Sequence, residues 1–307
     1  MPPSLDEHLE AVLQDCNDRV NRLEEAGCPD AEMLDALIDR GSVLSMMEHY
    51  TSALSDLEDA VDMIIRMERE GEPVDPGSFV RVFVSRGGIY AESDPGMMAD
   101  DYAIASMRLH EFDEGSRLYD RRKVVQMCLG CCEGLLNGGR PEGVPPFADK
   151  IRAELAGLTD GWSRNRRLEM FVMSAQSMEE TGMEAQALWL FNEAVRTGYG
   201  LFDEGSLEDP MPLVFALVLR GDIEQRRGLL EQYILDRKAA ISLLEELLSA
   251  NRLDDIQVLV RLHQDVANTY LTLDRVKEAE EHLMKEVMLS MDGAEEYIRE
   301  YVDKDGR

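Results

Sequence analysis

The chain is short of basic side chains, of aromatics and of long apolar runs. It carries 32 Lys and Arg against 62 Asp and Glu, a formal charge of −30 over 307 residues, and only 6% of it is aromatic. Phosphate-bearing surfaces repel such a body except at a local basic patch, which argues against nucleic acid or an anionic membrane as its partner. The longest uninterrupted apolar run is Leu213 to Leu219, seven residues, far below the roughly 20 needed to cross a bilayer. Met1-Pro-Pro-Ser-Leu-Asp-Glu lacks the basic and apolar regions of a signal peptide. Five cysteines, an odd number, give no disulfide framework and suit a reducing compartment. The expectation is a soluble cytoplasmic protein. At 44% hydrophobic residues it has enough apolar side chains to fold despite its charge.

What is present is repetition. Arg-Gly recurs after an aliphatic residue in Ile38-Asp39-Arg40-Gly41, Val84-Ser85-Arg86-Gly87 and Val218-Leu219-Arg220-Gly221. Small residues in helical contexts form a series, Gly41, Gly87, Gly130, Ala175, Gly221 and Ala267, with steps of 46, 43, 45, 46 and 46 residues. A period near 45 over most of a chain marks a repeat architecture. Twelve residues after Gly41, Ala175 and Ala267 begins a second group: Ala53, Leu57, Ala60; then Ala187, Phe191, Ala194; then Ala279, Leu283, with Glu286 in place of an alanine. Its 4-then-3 spacing places these residues on one helical face. Turn-like segments lie between the two groups, so each unit reads as helix, tight turn, helix. Phe112-Asp113-Glu114-Gly115-Ser116 recurs as Phe202-Asp203-Glu204-Gly205-Ser206, which reads as a loop that caps the next helix.

With these residues in view the chain resembles the tetratricopeptide-repeat (TPR) family. The first unit, Leu37, Arg40, Gly41 and Leu44 followed by Tyr50, Ala53, Leu57 and Ala60, follows the family pattern of small and large residues, as does Phe171, Ala175 and Met178 with Gly182, Ala187, Phe191 and Ala194. The third unit departs from it with a Gly/Pro-rich insertion at Asn137–Pro146, and the period exceeds the family's 34 residues by about three helical turns. The resemblance implies an all-α fold, a right-handed superhelical solenoid of about six antiparallel helix pairs with an N-terminal capping helix. The corresponding layout is a cap over 1–30, opened by a capping box at Ser4-Leu5-Asp6-Glu7. An array follows over 31–292, with units near 31–76, 77–115, 116–160, 161–205, 206–253 and 254–292. A helix end and polar tail over 293–307 complete it.

Candidates for chemistry are few. Cys128-Leu129-Gly130-Cys131-Cys132 is a CxxC with an extra thiol, but zinc needs four ligands and no second CxxC or His pair accompanies it. In register with the other units these thiols surround a small contact residue and read as packing groups. A thiol-based metal or redox sensor there is the minor alternative. His8, His49, His110, His263 and His282 are scattered and form no HExxH; His49 and His282 are expected on turn or helix surfaces. Gly138-Gly139-Arg140-Pro141 lacks the Lys-Ser/Thr of a phosphate-binding loop. Arg121-Arg122-Lys123, Arg164 with Arg166-Arg167, and Arg226-Arg227 lack interleaved aromatics and are expected to form internal ion pairs. No catalytic residue, metal ligand or cofactor site is assigned, and the chain is not expected to be an enzyme.

In TPR proteins the first helix of each unit lines a concave groove that holds a peptide or helix of a partner protein. The resemblance maps that groove here onto Arg81 and Val84, Val124 and Met127, Val172 and Gln176, Phe215 and Val218, and Arg261 and Asn268. The family's carboxylate clamp uses Lys, Asn and Arg at such positions. Here they are mostly apolar or small, which suits an apolar partner segment or, equally, burial by tight closure of the superhelix. The expected function is a protein-interaction scaffold. The alternative is a regulatory or assembly subunit that self-associates through its outer helices or its divergent third unit. The charge supports a central contact region: residues 1–70 carry 18 acids and 5 bases (−13), residues 201–307 carry 24 and 13 (−11), and the remaining 130 total −6.

Overall fold

The computed structural model describes residues 5–27, 30–250, 252–253 and 255–305, with side chains as far as residue 290. Helices account for 82% of it, and no strand occurs among the described residues. The chain divides into two compact units, residues 1–157 and 158–307. The first contains α1 (Leu5–Ala26), α2 (Asp30–Met46), α3 (Tyr50–Glu70), α4 (Pro76–Tyr90), α5 (Pro95–Arg108), α6 (Arg121–Asn137) and α7 (Val144–Glu154). The second contains α8 (Gly161–Glu180), α9 (Glu184–Asp203), α10 (Met211–Arg226), α11 (Leu230–Ser249), α12 (Ile256–Thr272) and α13 (Val276–Asp305). Successive helices pack as pairs, α2/α3, α4/α5 and α6/α7 in the first unit and α8/α9, α10/α11 and α12/α13 in the second, with α1 laid on α2. The fold is an all-helical repeat of antiparallel pairs.

Local chemistry explains the boundaries. Asp75, Asp94, Asp120, Asp160 and Asp255 are N-caps whose carboxylates accept from the first free backbone N–H groups of α4, α5, α6, α8 and α12. Pro76 and Pro95 follow two of them at the first helical position, where a missing N–H costs nothing. Within five of the pairs the turn passes through a left-handed residue: Glu48 (φ 62°), Gly139 (φ 66°), Gly182 (φ 81°), Gly228 (φ 75°) and Asp274 (φ 55°).

The Arg-Gly repeat has a physical basis in each pair that contains it. A Cβ on Gly41 would stand 3.0 Å from Leu57 Cγ, and one on Gly87 would stand 2.6 Å from the Tyr102 ring, so glycine lets α2 meet α3 and α4 meet α5. The adjacent arginine forks onto a carboxylate of the partner helix. Arg40 clasps Asp56, Arg86 clasps Asp101 and Arg220 clasps Asp236, each through Nε and one Nη to both carboxylate oxygens. Such bidentate pairs are strong and geometrically selective. Asp101 is 2% exposed, so the Arg86–Asp101 pair is largely shielded from water. In the second unit Ala175, Ala187, Phe191, Ala194, Leu213 and Leu244, all fully buried, anchor one continuous core.

Several expectations need correction. Gly130 is exposed, with nothing within 4 Å of where its Cβ would stand. Cys131, the next residue along α6, is buried instead. The two Phe-Asp-Glu-Gly-Ser loops do not cap the helix that follows; they return to the start of their own pair. Ser116 Oγ donates to the α4 cap Asp75 at 2.6 Å, and Asn165 Nδ2 on α8 donates to the Ser206 carbonyl at 2.9 Å. α13 runs on to Asp305, so the helix end expected within 293–307 takes in most of that segment. The Asn137–Pro146 insertion spans the end of α6, the turn with one 3-10 element at Pro141–Gly143, and the first residues of α7. Ser4 of the expected capping box lies outside the described residues.

Candidate functional site

In the first unit α2, α4, α6 and the segment between α5 and α6 surround a cleft of about 330 Å³. Asp39 comes from α2, Arg81, Val84 and Ser85 from α4, and Lys123, Val124 and Met127 from α6; Phe112 and Leu118 come from the connecting segment. The volume lies at the lower end of the range of ligand pockets. Apolar side chains line it together with a few charges: Val124 is buried in the wall, and Val84 and Met127 are half-buried at its surface.

The connecting segment is fixed at several points. Lys150 Nζ donates to the Phe112 carbonyl at 2.6 Å and pairs with Glu154 at 2.8 Å; Tyr119 Oη donates to the same glutamate at 2.5 Å. Arg117 N and Ser116 Oγ donate to Asp75, and Arg117 Nη2 donates to Asp35 at 2.8 Å. Ser78 Oγ donates to the other oxygen of Asp35 at 2.6 Å, so this buried carboxylate is held both from α4 and from the connecting segment. Burial alone would raise the Asp75 carboxyl, but hydrogen bonds from Ser116, Arg117, Ser78 and Gly77 outweigh it and hold the group below its usual value. Phe112 and Leu118 therefore enter the cleft wall from a braced segment.

The electrostatics of the wall are asymmetric. Asp39 lies between Arg19 of α1 and Arg81 of α4, each at 2.7 Å. Two arginines on one carboxylate leave one positive charge, and Lys123 adds another at the rim. Ser42 and Ser85 share a hydroxyl contact of 3.2 Å beside them. The arrangement offers apolar contact and a cation side by side, with no nucleophile–base pair among these lining residues.

Of the residues expected to line a groove, Arg81, Val84, Val124 and Met127 converge here. The others lie on α8, α10 and α12 of the second unit. Val172 is buried in that unit's core, and Val218 packs half-buried against it while its carbonyl accepts from Arg237. Gln176 Nε2 donates to Glu180 on its own helix. Phe215 is 49% exposed. Arg261 and Asn268 are exposed. Asp39, Ser85, Phe112, Leu118 and Lys123 are cleft residues that repeat spacing does not reveal. Phe112 is part of the duplicated loop, and that duplication is the signal that marks the segment.

The thiols are packing groups. Cys128, Cys131 and Cys132 are buried and free of disulfides. Burial raises all three, with Cys132 pushed up to about 12, so none is a thiolate near neutrality. Five arginines of the basic clusters make the expected ion pairs, Arg121 with Glu114, Arg164 with Glu204, Arg166 with Glu208, Arg226 with Glu179 and Arg227 with Glu184, whereas Lys123 stands at the rim of the cleft. No helix is long and apolar enough to cross a membrane among the described residues.

No family model matches the chain, and no curated protein is similar to it in sequence. In fold it is similar to the apo form of RapI, a helical-repeat solenoid protein, with a TM-score of 0.59 and 12% identity over 92% of this chain and 77% of that one. It is also similar to BtubC (BKLC) from P. vanneervenii, with a TM-score of 0.51 and 11% identity over 93% of this chain and 92% of that one. At these identities the likeness is one of fold.

Proposed function

We propose that this chain is a non-catalytic protein-interaction scaffold, a TPR-type array with a lengthened unit, which holds a peptide or helix of a partner protein in the cleft of its first compact unit. The observation that carries this reading is the convergence of Arg81, Val84, Val124 and Met127 on one braced cleft. The chemistry of the lining suggests the ligand: an aliphatic side chain set against Val84, Leu118 and Met127, with an acidic group beside it facing Lys123 and the Arg19–Asp39–Arg81 cluster. In a chain of charge −30 such a local cation is what admits an acidic peptide at all.

A random-peptide display library selected on the full chain tests this. Selected peptides should bind Val84→Glu or Met127→Glu at least about 10-fold more weakly, with helical circular dichroism unchanged. Binding unaffected by both substitutions removes the cleft assignment. A second reading, self-association, is favoured by α13, where Met284, Val287 and Met288 are 61%, 56% and 60% exposed at helical spacing. Sedimentation that shows only monomer over a wide concentration range would eliminate it.

A further inference from the structure

Three arginine–aspartate pairs of this fold are closed forks, and a fourth aspartate is held differently. Arg40, Arg86 and Arg220 each give Nε and one Nη to the two oxygens of Asp56, Asp101 and Asp236. The side chains of those aspartates are 9%, 2% and 8% exposed, so the pairs lock helices together away from water. Asp39 stands instead in the wall of the first unit's cleft, with its side chain 33% exposed. One of its oxygens accepts from Arg19 Nη1 of α1 and the other from Arg81 Nη2 of α4, each at 2.7 Å. Neither arginine forks onto it.

The difference leaves Arg81 with binding capacity. A guanidinium carries five N–H donors in a planar fork, and a matched carboxylate takes two of them side by side. Arg81 gives one to Asp39 and makes no other hydrogen bond among the described residues. Its remaining donors belong to a side chain that lines the cleft, one helical turn from Val84 and Ser85 on the same face of α4. A partly exposed ion pair contributes little to folding, because water competes for both charges. Trading Asp39 for another carboxylate on Arg81 is therefore inexpensive, and Asp39 does not lose its counter-ion in the exchange, since Arg19 still holds its second oxygen.

Resting on the reading of this cleft as the partner's site, we infer that Arg81 is the residue that reads an acidic side chain of the partner, and that Asp39 is its internal stand-in. In the free protein Asp39 joins Arg19 and Arg81. An incoming Asp or Glu takes the unused fork of Arg81, and Asp39 stays with Arg19. Asp39 acts against every acidic ligand in two ways, by competing for Arg81 and by repelling a second carboxylate. It has neither effect on a neutral one. Asp39 is thus an autoinhibitory contact that sets how tightly acidic partners are held.

Calorimetric titration of the full-length chain tests this with two probes: the tightest acidic peptide from the display selection, and the same peptide with Gln or Asn at its acidic position. Asp39→Asn, nearly isosteric and at a partly exposed position, should bind the acidic peptide about 5-fold more tightly than the parent does. That gain should shrink as salt is raised. The neutral peptide should bind parent and variant alike, and Arg81→Gln should no longer tell the two peptides apart. Circular dichroism checks that both variants stay folded. The role of Asp39 is overturned by a selection that yields no acidic peptide, by an Asp39→Asn variant that binds the acidic peptide no more tightly than the parent, or by an equal gain for the neutral peptide. In each of these cases the cleft itself stands if Val84→Glu and Met127→Glu still weaken binding; peptides indifferent to both of those substitutions remove the cleft and the role of Asp39 together.

Discussion

A left-handed residue lies in the turn of five of the six helix pairs, and its identity decides what that turn costs. Gly182 and Gly228 adopt positive φ freely, whereas Glu48 and Asp274 hold it with a Cβ. Nothing lies within 4 Å of where a Cβ on Gly182 would stand, so Gly182→Ala isolates the backbone penalty, and urea unfolding should show a loss of about 1 kcal/mol. Glu48→Gly should move stability the other way or leave it unchanged. Small residues at this scale were legible in the sequence to within one position. A series that tolerates a one-residue slip pointed to Gly130, but one residue turns a helix by about 100° and exchanges a buried face for an exposed one. The structure puts Cys131 inward and Gly130 outward.

At the scale of elements, the helix pairs were readable because each carries its own caps, small residues and turn. What joins them was less so. Arg40, Arg86 and Arg220 stood out as a repeated motif, but their partners Asp56, Asp101 and Asp236 lie 15 or 16 residues on, in a second helix whose facing side no local pattern marks. The duplicated loop was visible as a duplication and misplaced as a cap, since its contacts run backwards to Asp75 and Asn165. Asp75 connects this segment to a titration. Its folded carboxyl lies below the ordinary value of 3.8, so the unfolded chain takes up the proton first. The stabilisation is complete above that value and is lost as pH falls through the folded one. Asp75→Asn should cost about 1 kcal/mol at pH 7, and the gap between variant and parent in urea midpoint should shrink towards pH 3. An unchanged gap would detach the loop brace from the Asp75 charge.

Over the whole molecule, the surplus of acid has two visible uses: five aspartates cap helices, and others hold arginines between paired helices. The division after Gly157 was not legible, because the same kind of helix pair stands on both sides of it and a repeat pattern registers only the pairs. For the same reason the ten residues expected to form one groove belong to two units, and four of them meet in the first. The most direct test of that cleft as the peptide site uses the protein labelled with ¹³C at its methionine methyls, titrated with a display-selected peptide. The Met127 signal, assigned by Met127→Leu, should shift in step with binding while those of Met284 and Met288 in the second unit stay in place. A Met127 signal unmoved at saturation, with shifts confined to Met284 and Met288, would contradict the assignment of the partner to this cleft.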